Sequence, residues 1–108
     1  MTKYHVGEIW KIKLYPVRGS EQDWIRPCVI VSPDSMNQAL QTLIVLPLTK
    51  SNKDWPTRVR VLVNGTESQA CIEHIRSVSK DRFLEKFGNI SQIEMALIRK
   101  HLAAVFSG

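Results

Sequence analysis

The sequence predicts one mainly-β domain, a small antiparallel barrel or sandwich with a short helix after the second strand and a helix at the C-terminal end. Three observations predict it. β-Prone runs follow one another through short connections with no long helix between them, the pattern of antiparallel all-β folds. Val59, Val61 and Val63 fall on one face, Arg58, Arg60 and Leu62 on the other, and the run leads into Asn64-Gly65, whose tolerance of positive φ joins antiparallel strands. Ser91 and Glu94 form a Ser-x-x-Glu box that opens the longest helical pattern. A chain of 108 residues has material for one core rather than two, so residues 1–108 are read as a single domain.

The first strand lies within Gly7 to Tyr15, where Ile12-Lys13-Leu14 has the period-two pattern of a half-buried strand. Pro16 to Ile25 carries Pro16, Gly19, Ser20 and several charges without apolar periodicity. It reads as a loop of about ten residues, longer than the usual ~4–6, and long ordered loops are often functional. Cys28-Val29-Ile30-Val31 is the second strand, entered through Arg26-Pro27, where a proline at the start costs no central ladder bond. Asp34 is placed to cap a short helix ending at Ala39 or Leu40. Thr42 to Leu46 is the third strand, expected to stop near Pro47 for want of an amide hydrogen. Lys50 to Pro56 is a loop, and Thr57 to Val63 and Glu67 to Arg76 are the two strands of the hairpin. The last helix runs from Ser91 to about Phe106, with Ile90 and Met95 as the hydrophobic staple. Met95, Ile98, Leu102, Val105 and Phe106 form the stripe expected to cover the barrel. Ile93, Leu97 and Ala104 form a second stripe, with a wide core contact or another subunit as its alternatives.

The composition, 44% hydrophobic and 23% charged, supports a packed interior and excludes disorder and low complexity. Fifteen Lys and Arg against ten Asp and Glu give a net charge of +5, which favours encounters with polyanions such as nucleic acid or an acidic protein. Cys28 and Cys71 are too few for a disulfide framework and lack metal-ligand spacing, so they read as reduced, buried thiols. Met1 to His5 has no secretory pattern and no segment has the ~18 apolar residues of a membrane helix, so a cytoplasmic protein with no membrane partner is expected.

No glycine-rich phosphate loop, nucleophile elbow or zinc-binding helix occurs, so a dedicated metal site is disfavoured. His5, His74 and His101 belong to different elements. Glu73 and His74 are neighbours in an expected strand, which sends them to opposite faces and leaves His74 beside Arg76, as a phosphate contact or as an ordinary polar surface. Arg18, Arg26, Lys50, Lys53, Arg58 and Arg60, interleaved with Trp24 and Trp55, suit a single-stranded nucleic acid: cations neutralise phosphates and indoles stack on bases. Plain surface charge and core packing account for them equally.

Five blocks then occur in order: GEIW at Gly7 to Trp10, RGSEQ at Arg18 to Gln22, RPCVIVSPDSMN at Arg26 to Asn37, PLT at Pro47 to Thr49, and IEHIRSVSKDRF at Ile72 to Phe83. In order and spacing they resemble the MazF/PemK/Kid family of toxin endoribonucleases, over nearly the full chain. The resemblance implies an SH3-like barrel of the CcdB/MazF kind, a homodimer, and cleavage of single-stranded RNA with no metal or other cofactor. It implies attack by the RNA 2′-hydroxyl on the adjacent phosphate, leaving a 2′,3′-cyclic phosphate and a 5′-hydroxyl. It also implies a cognate antitoxin whose flexible acidic or amphipathic segment blocks the RNA groove.

Carried over residue by residue, Arg26 and Thr49 are the catalytic pair, and Glu21 matches an acidic loop position tied to activity. Arg26 serves best by electrostatic stabilisation, since a guanidinium is a poor acid. Gln22 and Asn37 are candidate base-edge contacts, Arg18, Ser20 and Trp24 lie in or beside the same loop block, and Lys50, Trp55 and Arg58 are RNA contacts by physical type. The chain departs from relatives that have Arg where Cys71 lies, Asp where Glu73 lies and Gln where His74 lies, so Glu73, His74 and Arg76 are carried only as binding residues. Two rivals use the same barrel: a CcdB-like poison of DNA gyrase, and a binding module with no chemistry.

Overall fold

A computed structural model describes residues 2–14 and 25–108. Among these residues seven strands and two α-helices follow one another: β1 (Glu8–Lys13), β2 (Ile25–Ile30), α1 (Asp34–Ala39), β3 (Thr42–Thr49), β4 (Arg58–Val63), β5 (Thr66–Cys71), β6 (Arg76–Ser79), β7 (Phe83–Asn89) and α2 (Gln92–Phe106). The strands form one curled antiparallel sheet in the order β4-β5-β3-β2-β1-β7, with β6 also on β3. This is the mainly-β, helix-ended architecture expected from the sequence.

Strand β3 organises the sheet. Its middle pairs with β2 through Val45, Leu46 and Pro47, its first half with β6 through Thr42 to Val45, and its end with β5 through Leu48 and Thr49. Apolar residues lie on both sheet faces, so instead of the single core expected from the chain length the sheet separates two clusters among the described residues. Ile9, Val29, Leu46, Leu48, Val59, Val61 and Val63 pack with Met95 and Ile98 of α2, and Leu102 joins at the margin. Trp10, Ile12, Leu14, Cys28, Ile30, Leu43, Val45, Val78 and Phe83 form the other core, where Tyr4 packs tilted against Trp10 and edge-on to Phe83, with centroids 4.9 and 5.0 Å away.

The Asn64-Gly65 turn is as expected, with φ of 50° and 81°. The capping box is present too: Glu94 N donates to Ser91 Oγ at 3.1 Å and Ser91 N to Glu94 Oε1 at 2.8 Å. Glu94 Oε2 also accepts from Leu62 N at 2.6 Å, so one carboxylate caps the helix and ties it to edge strand β4.

Several expectations change. β3 continues through Pro47 to Thr49, and β2 begins at Ile25 instead of Cys28. The expected strand Glu67 to Arg76 is broken by a 3-10 turn at Ile72–His74, which separates β5 from β6. β7 carries no alternation to announce it; backbone pairing with β1 holds it. Pro33, not Asp34, occupies the N-cap of α1, and the Asp34 carboxylate instead takes the Val6 amide at 2.9 Å and His5 Nδ1 at 2.8 Å. On α2, Val105 and Phe106 are exposed instead of covering the barrel, as are Ile93 and Leu97 of the second stripe, which joins neither core among the described residues.

Two predictions follow from these contacts. Ser91→Ala should lower the urea-unfolding free energy by about 1 kcal/mol, and Ile98→Ala, which empties a fully buried site, by about 2–5 kcal/mol. The hydrogen bond between His5 and Asp34 raises the imidazole above its ordinary 6.5 and lowers the carboxyl below its ordinary 3.8. The His5 contribution is complete below 6.5 and fades as the pH rises through the raised value; that of Asp34 is complete above 3.8 and fades as the pH falls through the lowered one. NMR titration of Asp34→Asn should bring His5 back towards 6.5.

Candidate active site

The site begins with a hydrogen bond that cannot form. Val31 N donates to Ile44 O at 2.9 Å, so in the antiparallel β2–β3 register the hydrogen-bonded pairs fall at 31/44, 29/46 and then 27/48. Pro27 has no amide to give to Leu48. The ladder stops at Cys28↔Pro47, and beyond it β3 is held by β5 through Leu48↔Ala70 and Thr49↔Gln69. Continued by two residues, the same register sets Arg26 opposite Thr49. The two therefore face each other across the gap where the strands part.

Two adjoining clefts open there, of about 430 and 260 Å³. Arg26, Leu48 and Thr49 border both. The larger adds Lys11, Lys50, Asn64 and Phe87, and the smaller adds Leu14, Arg58, Cys71, His74 and Arg76.

Register explains why the smaller cleft is basic. Thr49 pairs with Gln69, Gln69 with Arg60, Cys71 with Arg58, and Val45 with Arg76. Directly paired residues, and residues two apart on a strand, share a face, so Arg26, Thr49, Gln69, Arg58, Arg60 and Arg76 stand on one side of the sheet. Arg76 Nη2 donates to Leu14 O at 3.0 Å. Arg58 is the most tightly held: Nε meets Glu73 Oε2 at 2.7 Å, Nη1 donates to Gln69 Oε1 at 3.2 Å, and the guanidinium lies 4.5 Å from the Trp55 ring centroid. Burial works to raise the Glu73 carboxyl, but the hydrogen bond from Arg58 and further bonds outweigh it and hold it below the usual carboxylate range. Because Ile72–His74 is a turn rather than a strand, Glu73 and His74 are not on opposite faces: His74 Nε2 is 3.8 Å from Glu73 Oε2.

Burial pushes the Cys71 thiol up and the Cys28 thiol up to about 12, so both are protonated and neither is a nucleophile. Among the described residues no three His, Cys, Asp or Glu side chains cluster as metal ligands. The arrangement offers a dense set of fixed cations, a hydroxyl and an imidazole, which suits binding a phosphodiester and stabilising added charge on it.

Of the residues singled out from the sequence, Arg26, Thr49, Lys50, Arg58, His74 and Arg76 line the clefts, Glu73 braces Arg58, and Trp55 stands beside Arg58 with 48% of its surface exposed. Asn37 does not join them. Its side chain is fully buried, bonded to the Ser32 hydroxyl and donating to the carbonyls of Ser32 and Tyr4, so it has no free edge with which to read a base. Arg18, Ser20, Glu21, Gln22 and Trp24 lie outside the described residues. Sequence reasoning missed Lys11 and Gln69. Lys11 was signalled only by its outward place in β1, and Gln69 by being an amide in a buried stretch of β5.

Comparison with known proteins gives a consistent picture. The family described as the PemK-like, MazF-like toxin of type II toxin-antitoxin systems matches residues 5–106. Endoribonuclease MazF9 of Mycobacterium tuberculosis is 35% identical over 106 residues, covering 89% of this chain and 90% of its own. Endoribonuclease MazF of Staphylococcus saprophyticus is 36% identical over 95 residues, covering 82% and 79%. Among solved structures, MazF from Deinococcus radiodurans aligns with a TM-score of 0.80 at 23% identity, covering 96% of each chain. An endoribonuclease in complex with its cognate antitoxin from a mycobacterial species aligns at 0.81 and 19% identity, covering 95% and 94%.

Pro27→Ala restores an amide at the point where the strands part. Hydrogen exchange should find that amide protected by a new bond to Leu48, and rapid exchange would contradict the role given to Pro27. The ion pair of Glu73 with Arg58 contributes stability above the ordinary carboxyl value of 4.5 and loses it as the pH falls through the lowered one. The unfolding midpoints of the wild type and Glu73→Gln should therefore converge in acid.

Proposed function

The chain belongs to the PemK-like, MazF-like toxins of type II toxin-antitoxin systems and is an RNA-cleaving toxin, and we propose that it cuts single-stranded RNA in the cleft between Arg26 and Thr49. One observation carries the reading: these two residues, 23 positions apart in the chain, meet at the gap that Pro27 opens between β2 and β3.

The RNA 2′-hydroxyl attacks its own 3′-phosphate, and the 5′-oxygen leaves as a cyclic phosphate forms. The attack gathers negative charge on the equatorial phosphate oxygens. At the border of both clefts, the Arg26 guanidinium would stabilise that charge and the Thr49 hydroxyl would orient the phosphate. The cleft's guanidinium groups supply positive charge without a metal or cofactor. Lys50, Arg58 and Arg76 extend the path of the backbone, and Trp55 offers an exposed indole on which a base gains roughly 1–3 kcal/mol by stacking. Arg18, Ser20, Glu21 and Gln22 are carried as RNA contacts by resemblance, with Glu21 an activity residue, and Trp24 as a stacking indole by physical type; loop contacts to base edges would confer sequence selectivity.

The same basic clefts fit an acidic or amphipathic antitoxin segment, and the solved neighbours include toxins bound to a cognate antitoxin. The exposed apolar side chains of α2, Ile93, Leu97, Val105 and Phe106, support a homodimer in which a second copy covers them. Among the described residues no helix is long and apolar enough to cross a membrane, which is compatible with the proposed cytoplasmic location.

Purified protein should cleave single-stranded RNA in excess chelator, leaving cyclic phosphate and 5′-hydroxyl ends. Arg26→Ala should slow cleavage by about 100-fold or more while keeping the circular dichroism of the wild type. Intact RNA across a diverse set of sequences, with the protein folded, would refute the proposal; inhibited gyrase supercoiling or RNA retention without cleavage would instead support the rivals.

A further inference from the structure

We propose that His74 is the general base of this reaction, taking the proton from the attacking 2′-hydroxyl, with the Glu73 carboxylate beside its ring. The proposal rests on the reading of the cleft as the RNA-cleaving site. Of the three histidines, His5 is tied to Asp34 at 2.8 Å and His101 Nδ1 lies 2.9 Å from Leu97 O of its own helix. Only His74 lines the cleft that Arg26 and Thr49 border.

The backbone explains its place. Ile75 N donates to Ile72 O at 3.1 Å, closing the turn that interrupts the β5–β6 path and brings Glu73 and His74 to the same side. Glu73 is anchored by Arg58 at 2.7 Å and presents Oε2 to His74 Nε2 at 3.8 Å. With its hydrogen on Nε2, the nitrogen nearer the carboxylate, the neutral ring keeps a lone pair on Nδ1 with which to accept a proton. Among the described residues, the other charged groups that line the same cleft are Arg26 on β2, Arg58 on β4 and Arg76 on β6. Glu73 is a poor base for the same step, because Arg58 already occupies it and holds it as a carboxylate.

The step balances without an outside reagent other than water. The 2′-oxygen forms its bond to phosphorus as its proton passes to Nδ1, and the bond from phosphorus to the 5′-oxygen breaks with its electron pair. The 5′-oxygen takes a proton from water, and the hydroxide so formed returns the ring to neutrality.

The test is single-turnover cleavage in chelator by wild type, Arg26→Ala, His74→Gln and His74→Ala, from about pH 5 to about pH 8, across the range where imidazole titrates. The wild-type rate should rise with pH and level off. With enzyme saturating, His74→Gln should cleave about 100-fold or more slowly and lose the rise, and added free imidazole should restore part of the His74→Ala rate. A His74→Gln variant with the wild-type rate and profile, beside an inactive Arg26→Ala, would overturn the role of His74 and leave the cleft reading intact. A wild type that cuts no RNA would overturn both.

Discussion

The site depends on one missing hydrogen bond. A sheet whose ladders are complete has no room between neighbouring strands, which lie ~4.8 Å apart. Pro27 removes the donor at the one pair that would have kept β2 and β3 together beyond Cys28↔Pro47, while its other edge loses nothing to β1, where it still registers with Lys11. The gap is thus built into the covalent chain, and it opens between an arginine and a threonine.

Around that gap the fold supplies rigidity from two sides. One core seals the sheet beneath α2, fixed at its start by Ser91 and Glu94, and the other packs Trp10 and Phe83 beneath Tyr4. Glu8 joins the N-terminal turn to β7: its nearly buried carboxylate accepts from His5 N and Trp10 Nε1, each at 3.0 Å, and pairs with Lys86 at 3.1 Å. On such a frame Arg58 and Arg76 are held in place before a phosphate arrives, which is the condition under which fixed charge stabilises a transition state.

The sequence was legible where structure is local. Asn64-Gly65 and the Ser91 box each specify their geometry within four residues, and both appear as read. β7 was not legible, because its residues are mostly exposed and its strand character comes from pairing with β1, far off in the chain. The turn at Ile72–His74 hid inside a run that reads as strand, which is why Glu73 and His74 were expected on opposite faces. Asn37 shows the converse error: an amide in a matching block, taken for a base reader, serves the interior. The grouping of Arg26, Thr49, Arg58 and Arg76 needed the strand registers, which no single stretch encodes; only the resemblance of the Arg-Pro and Pro-x-Thr blocks paired the first two in advance.

The central claim is that Arg26 and Thr49 act on the same phosphate. A double-mutant cycle on the cleavage step, with each residue changed to alanine singly and together, tests it most directly. The account predicts strong coupling, with the double variant little slower than the slower single one. Losses that simply multiply would mean that the two side chains act independently, and would contradict it.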